Sequence, residues 1–230
     1  MNYALLTRTI QENLKLSREI EHKGIATAFL PLLILREIPI NWDLLKGYCH
    51  LVVTSKFAAQ IIARNNKHKI TALCVGGNSA RILAQNSSIK IAKVFNNASD
   101  LATYLEQKSR AIKGAYVSGD VIKGGMPNFI DRYIAYNTTY TSKIPDIVKK
   151  QLINMEIKVV MLYSENSAKI FLDLCHKNSI ISYLSTITAV VISQSIKSIV
   201  SDYFKKTYFC HKPDNELMLK LVYDIYENSL

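Results

Sequence analysis

Two similar α/β domains, each a parallel sheet covered by helices, are predicted by two observations on this 230-residue chain. Strand-like and helix-like patterns alternate along its whole length, which is the arrangement that buries parallel strands under crossover helices. The plan also occurs twice. Leu51–Ile62 reads as an apolar strand, a hydroxyl-bearing turn and an amphipathic helix, and Val160–Phe171 repeats it, with Ser55 and Ser164 109 residues apart. Cys74–Ala80 is echoed by Val191–Lys197 and Asp100–Leu105 by Glu216–Leu221, in the same order. A period near half the chain is too long for a solenoid and implies duplicated domains. Ligands favour the space between domains, so a ligand cleft between the two is expected.

In chain order, Tyr3–Thr7 is a short apolar run. Gln11–Lys23 follows as a helix, with Leu14, Leu16 and Ile20 near helical spacing and Gly24 as its stop. Ile25–Leu35 reads as extended, although Pro31 argues against a central strand along its whole length. His50–Val53 is a buried strand and Phe57–Arg64 a helix. Thr71–Val75, Ser79–Gln85, Ile89–Val94 and Asp100–Glu106 continue as strand, helix, strand, helix. In the second half Ala115–Ser118 is a strand, Pro127–Tyr133 a short helix and Ile134–Ser142 an extended run rich in Tyr and Thr. Pro145–Asn154 is a helix opened by proline. Then come strand Lys158–Leu162, helix Ser167–Cys175, strand Ile187–Ile192, helix Ser195–Phe204, strand Tyr208–Cys210 and helix Asn215–Glu227. No Pro/Gly/Ser-rich linker divides the halves, so the crossings are placed in the extended segments Leu32–Pro39 and Tyr136–Ile144.

The bulk numbers are those of a globular protein: 49% apolar and 20% charged residues. The longest apolar candidate, Ala26–Leu35, ends at Arg36 and contains Pro31, so no membrane span is expected. The N-terminus lacks the features of a signal peptide, which makes a cytoplasmic protein the expectation. Cys49, Cys74, Cys175 and Cys210 form no C-x-x-C pair and read as reduced, buried thiols. Three Cys–His dipeptides invite a metal reading, but neighbours on a strand face opposite ways and no zinc spacing is present. Core cysteine with surface histidine is the reading adopted, and no metal is expected. The formal charge of +11 steers an anionic partner. Its bases are scattered, with only short groups at Lys67–Lys69 and Lys205–Lys206, which disfavours nucleic acid. There is no G-x-G-x-x-G after a strand and no Walker A sequence, so nucleotide cofactors lack support.

Leu6–Thr7–Arg8, Pro31–Leu32–Leu33, the Thr54–Ser55 turn with Ala58, the Gly76 turn with Ser79–Ala80, Ala135–Tyr136–Asn137–Thr138 and the Ser164 turn together resemble uroporphyrinogen-III synthase. Each motif alone is common; their order and spacing over nearly the whole chain carry the resemblance. It implies two flavodoxin-like domains joined by a two-stranded linker, one formed by residues 1–33 plus 141–230 and the other by 34–140. It also implies that the opening β-α-β of each half completes the other domain's sheet.

The implied activity is a cyclizing hydro-lyase of heme biosynthesis that needs no cofactor. It would close the linear tetrapyrrole hydroxymethylbilane with inversion of the last pyrrole ring, acting as a monomer. The eight carboxylates of that substrate match the positive charge. Helix N-termini at strand ends suit carboxylates, which makes Arg8, Thr54, Ser55, Gly76, Ser79, Gly119, Ser164 and Ser195 the expected substrate-binding residues. For the hydroxyls, plain N-capping is the competing role. Tyr136 stands at the position of the family's tyrosine and is the expected acid for the departing hydroxyl. The chain departs from the family pattern at Thr9, Ser118, Tyr163, Ser193 and Ile196. A non-enzymatic two-lobed anion-binding protein is the principal rival reading, and a basic nucleic-acid-binding protein the second.

Overall fold

The computed structural model describes residues 2–108, 112–122 and 124–227; Met1 and residues 228–230, at the ends of the expected domains, lie outside the described residues. The chain divides into two compact units, Met1–Ile34 with Thr139–Leu230, and Leu35–Thr138.

The first unit is built on β1 (Tyr3–Leu6), β2 (Ala26–Phe29), β9 (Ile157–Leu162), β10 (Thr188–Val191) and β11 (Lys206–Phe209). Their spatial order is β11-β10-β9-β1-β2, and every neighbouring pair is parallel. Counted by appearance this is 2-1-3-4-5, the doubly wound order whose switch point lies between β1 and β9. Both faces of such a sheet must be covered, and the strands are apolar on both. Leu5, Val160, Leu162, Ala189 and Val191 pack with Val148 and Leu152 of α5 (Asp146–Ile153), Phe171 of α6 (Glu165–Lys177), and Ile196 and Val200 of α7 (Gln194–Val200). The intervening Ala4, Leu6, Val159, Met161 and Val190 pack with Leu16 and Ile20 of α1 (Ile10–Glu21) and Met218, Leu219 and Val222 of α8 (Asn215–Glu227). The period of two on the strands thus meets a period near 3.6 on the helices.

The second unit contains β3 (Leu33–Glu37), β4 (His50–Val53), β5 (Ile70–Val75), β6 (Ile89–Phe95), β7 (Gly114–Gly119) and β8 (Asp131–Tyr140). The order is β3-β8-β7-β4-β5-β6. β8, β7, β4, β5 and β6 are mutually parallel neighbours. If β7 and β8 are counted first, this is again 2-1-3-4-5. The opening strand pair of the second half therefore belongs to the sheet formed by the first half's later strands, while β1 and β2 join β9–β11. β3 runs antiparallel to β8, with bonds from Ile38 N to Ala135 O and from Thr139 Oγ1 to Ile34 O. The chain passes from unit to unit within these two strands. α2 (Lys56–Asn65) and α3 (Gly77–Leu83) cover one face through Ala58, Ala59, Ile61, Ile62 and Leu83. α4 (Ala98–Gln107) covers the other through Leu101 and Leu105, with Ile112 and Ile130 beside it.

One local expectation is corrected. The helix expected over Pro127–Tyr133 is absent: residues 128 and 129 form a turn, and β8 begins at Asp131. Pairing with β7 in the register Tyr116↔Arg132 and Val117↔Tyr133 rewards a segment already rich in β-formers. Sequence reading also missed two short 3-10 helices, Trp42–Gly47 and Ile181–Thr186, which lack a full turn of apolar periodicity. No helix among the described residues is long and apolar enough to cross a membrane.

Candidate active site

In the second unit the strands deliver their C-terminal ends to a cavity of about 250 Å³ lined by Thr54, Ser55, Tyr116, Ser118, Gly119 and Tyr136, among others. It lies at the switch point of that sheet, between β4 and β7, where doubly wound folds bind ligands. Val53 ends β4 and Lys56 starts α2, so the Thr54–Ser55 turn must bridge strand and helix in two residues. Ser55 adopts extended backbone and its Oγ accepts from Ala58 N at 3.3 Å, a plain N-cap. The same Oγ accepts the Tyr136 hydroxyl at 2.8 Å. Capping and site chemistry therefore share one atom.

Tyr136 is 8% exposed and meets the Phe57 ring edge-on, with ring centroids 5.0 Å apart. Burial pushes its pKa above the usual phenol value, an effect that the Ser55 bond partly offsets. A phenol is protonated at neutral pH in any case, and burial widens that margin. Gly119 approaches this ring closely, and a Cβ at that position would overlap the tyrosine's Cε2 and Cζ. Tyr116, which sequence reading did not single out, is 3% exposed and shares a hydrogen bond of 2.8 Å with Thr54 Oγ1. Two phenols, one from β7 and one from β8, are thereby each tied to a hydroxyl of the same turn. The available signal was Tyr116 as the lone polar-tipped side chain in the apolar run Ala115–Val117.

The turn after β7 is held by Arg132 of β8. Its Nε donates to Ser118 Oγ at 2.9 Å, and its Nη2 donates to the carbonyls of Gly119 and Asp120 at 2.6 and 2.8 Å. Asp120 Oδ1 accepts from Val121 N and Thr138 N, each at 2.8 Å. Although desolvation acts upward on its carboxyl, these backbone donors hold its pKa below the ordinary range. The Asp120 N–H returns a bond to Tyr136 O at 3.0 Å.

Gly76 and Ser79 stand near this cavity in sequence but outside its lining. Gly76 precedes α3 with φ +79°, a left-handed conformation that suits glycine, and Ser79 is 4% exposed within α3. In the first unit, Arg8 follows β1. Its guanidinium makes a two-point pair with Glu12, Nε–Oε2 2.9 Å and Nη2–Oε1 2.7 Å, and lies 4.6 Å from the Tyr163 ring centroid. Arg8 is therefore already paired within its own unit. Tyr163 donates to Asn215 Oδ1 at 3.3 Å, and burial raises its pKa against the lowering field of Arg8. Ser164 caps α6 by accepting from Ser167 N at 3.1 Å. Ser195 sits in the first turn of α7, 3.0 Å from Ser193 Oγ. The expected residues thus fall into groups: Thr54, Ser55, Gly119 and Tyr136 converge on one cavity, Gly76 and Ser79 lie at α3 of the same unit, and Arg8, Ser164 and Ser195 lie after strands of the first unit. A larger cavity of about 700 Å³ in the first unit lies at the opposite, starting ends of the strands, beside Lys158 and Thr188, and holds none of them.

The cysteine reading is corrected at one place. Cys74, Cys175 and Cys210 are buried, but Cys49 is exposed, since it precedes β4; the adjoining His50 is half-buried, with Nδ1 enclosed. Among the described residues no group of three or more His, Cys, Asp or Glu is placed to hold a metal ion.

The model of the uroporphyrinogen-III synthase HemD family matches residues 15–220. The chain belongs to the uroporphyrinogen-III synthase family. The crystal structure of uroporphyrinogen-III synthetase from Helicobacter pylori 26695 superposes with a TM-score of 0.62 at 15% identity, covering 98% of this chain and all of that one. A mutant uroporphyrinogen III synthase from the extremely thermophilic bacterium Thermus thermophilus gives 0.50 at 9% identity, covering 99% and 98%. At these identities the likeness is one of fold. An uncharacterized protein of Rickettsia prowazekii (strain Madrid E), RP474, is 25% identical over 97% of this chain and 98% of its own length.

Proposed function

We propose that this protein is a uroporphyrinogen-III synthase acting as a cytoplasmic monomer on hydroxymethylbilane, with Tyr136 as the proton donor. The observation that carries the assignment of the acid is the buried Tyr136 phenol, bonded to Ser55 Oγ at the strand ends of a doubly wound sheet. Tyr136 delivers its proton to the hydroxyl leaving the first ring, so that water departs and an azafulvene remains. The last ring attacks that carbon through its own substituted carbon and forms a spiro intermediate. Cleavage of the old bond to the third ring, followed by reclosure through the free carbon, gives the inverted macrocycle and returns a proton to the phenolate. Thr54, Ser55 and the N–H groups opening α2 bind a substrate carboxylate at that helix end. Ser164 at the N-cap of α6 offers the equivalent position in the first unit, and Ser195 lies in the first turn of α7.

Much of the rate enhancement comes from holding the two chain ends together, which makes ring closure effectively intramolecular. The decisive assay supplies freshly made hydroxymethylbilane and separates the type III from the type I uroporphyrinogen by chromatography. Type III as the main product supports the reading, and type I alone removes it.

A further inference from the structure

Among the described residues, none that lines the cavity of the second unit carries a charged side chain. Among the described residues, the cation bonded to the cavity wall is Arg132, placed to pair with a further carboxylate of a polycarboxylate seated there. A guanidinium has five N–H donors. Three of them are used on Ser118 Oγ and the Gly119 and Asp120 carbonyls, all on the side of the turn. The two Nη1 hydrogens have no partner among the described residues, and the side chain is exposed. Its charge is not consumed by a carboxylate either, because Asp120 directs its Oδ1 to backbone N–H groups.

From this geometry we infer that Arg132 determines specificity at the site. It fixes the Ser118–Asp120 turn with one side of the guanidinium and offers Nη1 to a substrate carboxylate at the rim of the cavity. The fork explains the choice of arginine: lysine cannot hold three acceptors and still present a free donor edge. β8 also makes the position rigid, since Arg132 is paired in register with Tyr116.

The inference rests on the proposed function, and the test separates the two. Wild type, Arg132→Met and Arg132→Lys are assayed for KM and kcat with hydroxymethylbilane, and for affinity toward uroporphyrin III by isothermal titration; thermal melts verify that each is folded. Arg132→Met is expected to raise KM about tenfold with kcat within about threefold, the signature of lost uniform binding. It should weaken uroporphyrin III binding by a similar factor. Arg132→Lys, which keeps the charge but not the fork, should recover only part of the lost affinity. If Arg132 is only a clamp, both variants lower the melting temperature and kcat together and leave KM and uroporphyrin III affinity unchanged, which overturns the inference. A wild type that makes only type I product sinks the functional reading, and the uroporphyrin III titration still decides the role of Arg132.

Discussion

The Tyr136 hydroxyl donates to the same Ser55 Oγ that caps α2, so one serine oxygen ties the phenol to the helix that follows β4. This couples stability to reactivity in a way that can be measured at each partner.

Replacing Tyr136 by Phe removes the hydroxyl and retains the ring packed on Phe57. The variant is expected to fold and to lose type III synthesis by about 10²-fold or more, the contribution of a positioned acid. Spontaneous closure should then raise the type I share. A full wild-type rate of type III formation would remove Tyr136 from the chemistry.

Ser55→Ala removes the cap and the phenol's acceptor together. A loss of about 1 kcal/mol in urea unfolding is expected from the cap alone, with a smaller drop in rate than Tyr136→Phe because the phenol remains. Equal stability in wild type and variant would show that the helix end draws its order from elsewhere.

Gly119→Ala drives a methyl group into the Tyr136 ring. Overpacking of this kind costs about 1–3 kcal/mol, and the ring can yield only by turning its hydroxyl away from Ser55. Activity should therefore fall along with stability. Combining Gly119→Ala with Tyr136→Ala, which clears the clash, should recover part of the stability without recovering the rate.

Burial holds the phenols of Tyr136, Tyr163 and Tyr226 above their usual pKa. In the unfolded chain they ionise near pH 10. The sign follows by linkage: below that pH both states carry the proton and these groups leave stability unchanged. As the pH rises further, only the unfolded chain releases protons, and stability falls. The urea midpoint is expected to be insensitive to these groups from pH 7 to 9 and to drop beyond about pH 10. A phenolate absorbance titration of the folded protein should leave Tyr163 and Tyr226 un-ionised at pH 11. A midpoint that rises beyond pH 10 would contradict the assignment.

Cys49 is exposed whereas Cys74, Cys175 and Cys210 are buried, and burial pushes the Cys175 thiol up to about 12. An aromatic disulfide reagent should label one thiol in native protein and four after denaturation, and Cys49→Ser should abolish the native reaction. Fast labelling of several thiols would mean the cores are more open than described.

The sequence carried most of the architecture because strands buried on both faces and helices apolar on one leave different periodicities. The Thr54–Ser55 and Ser164 turns stood out where one period gives way to the other. Tyr136 did not stand out as one of thirteen tyrosines; only its place within the family pattern marked it. Arg132 was missed for a specific reason: Pro127 and the residues after it read as a helix start, whereas non-local pairing with β7 makes them a strand. Its bonds to Ser118 and Gly119 are long-range contacts that no local pattern encodes. Arg8 shows the converse. It stands at a strand end as the motif predicts, but Glu12, one helical turn later, already occupies its guanidinium.

The most direct test of the account follows two atoms through the reaction. Hydroxymethylbilane is prepared with carbon-13 at the free α-carbon of its last ring and at the methylene joining that ring to the third. Inversion bonds these two carbons to each other, whereas direct closure does not. The account predicts one-bond carbon–carbon coupling between the two labels in the main product formed by the wild-type protein. A product in which the labels remain uncoupled, at the rate seen without protein, would contradict it.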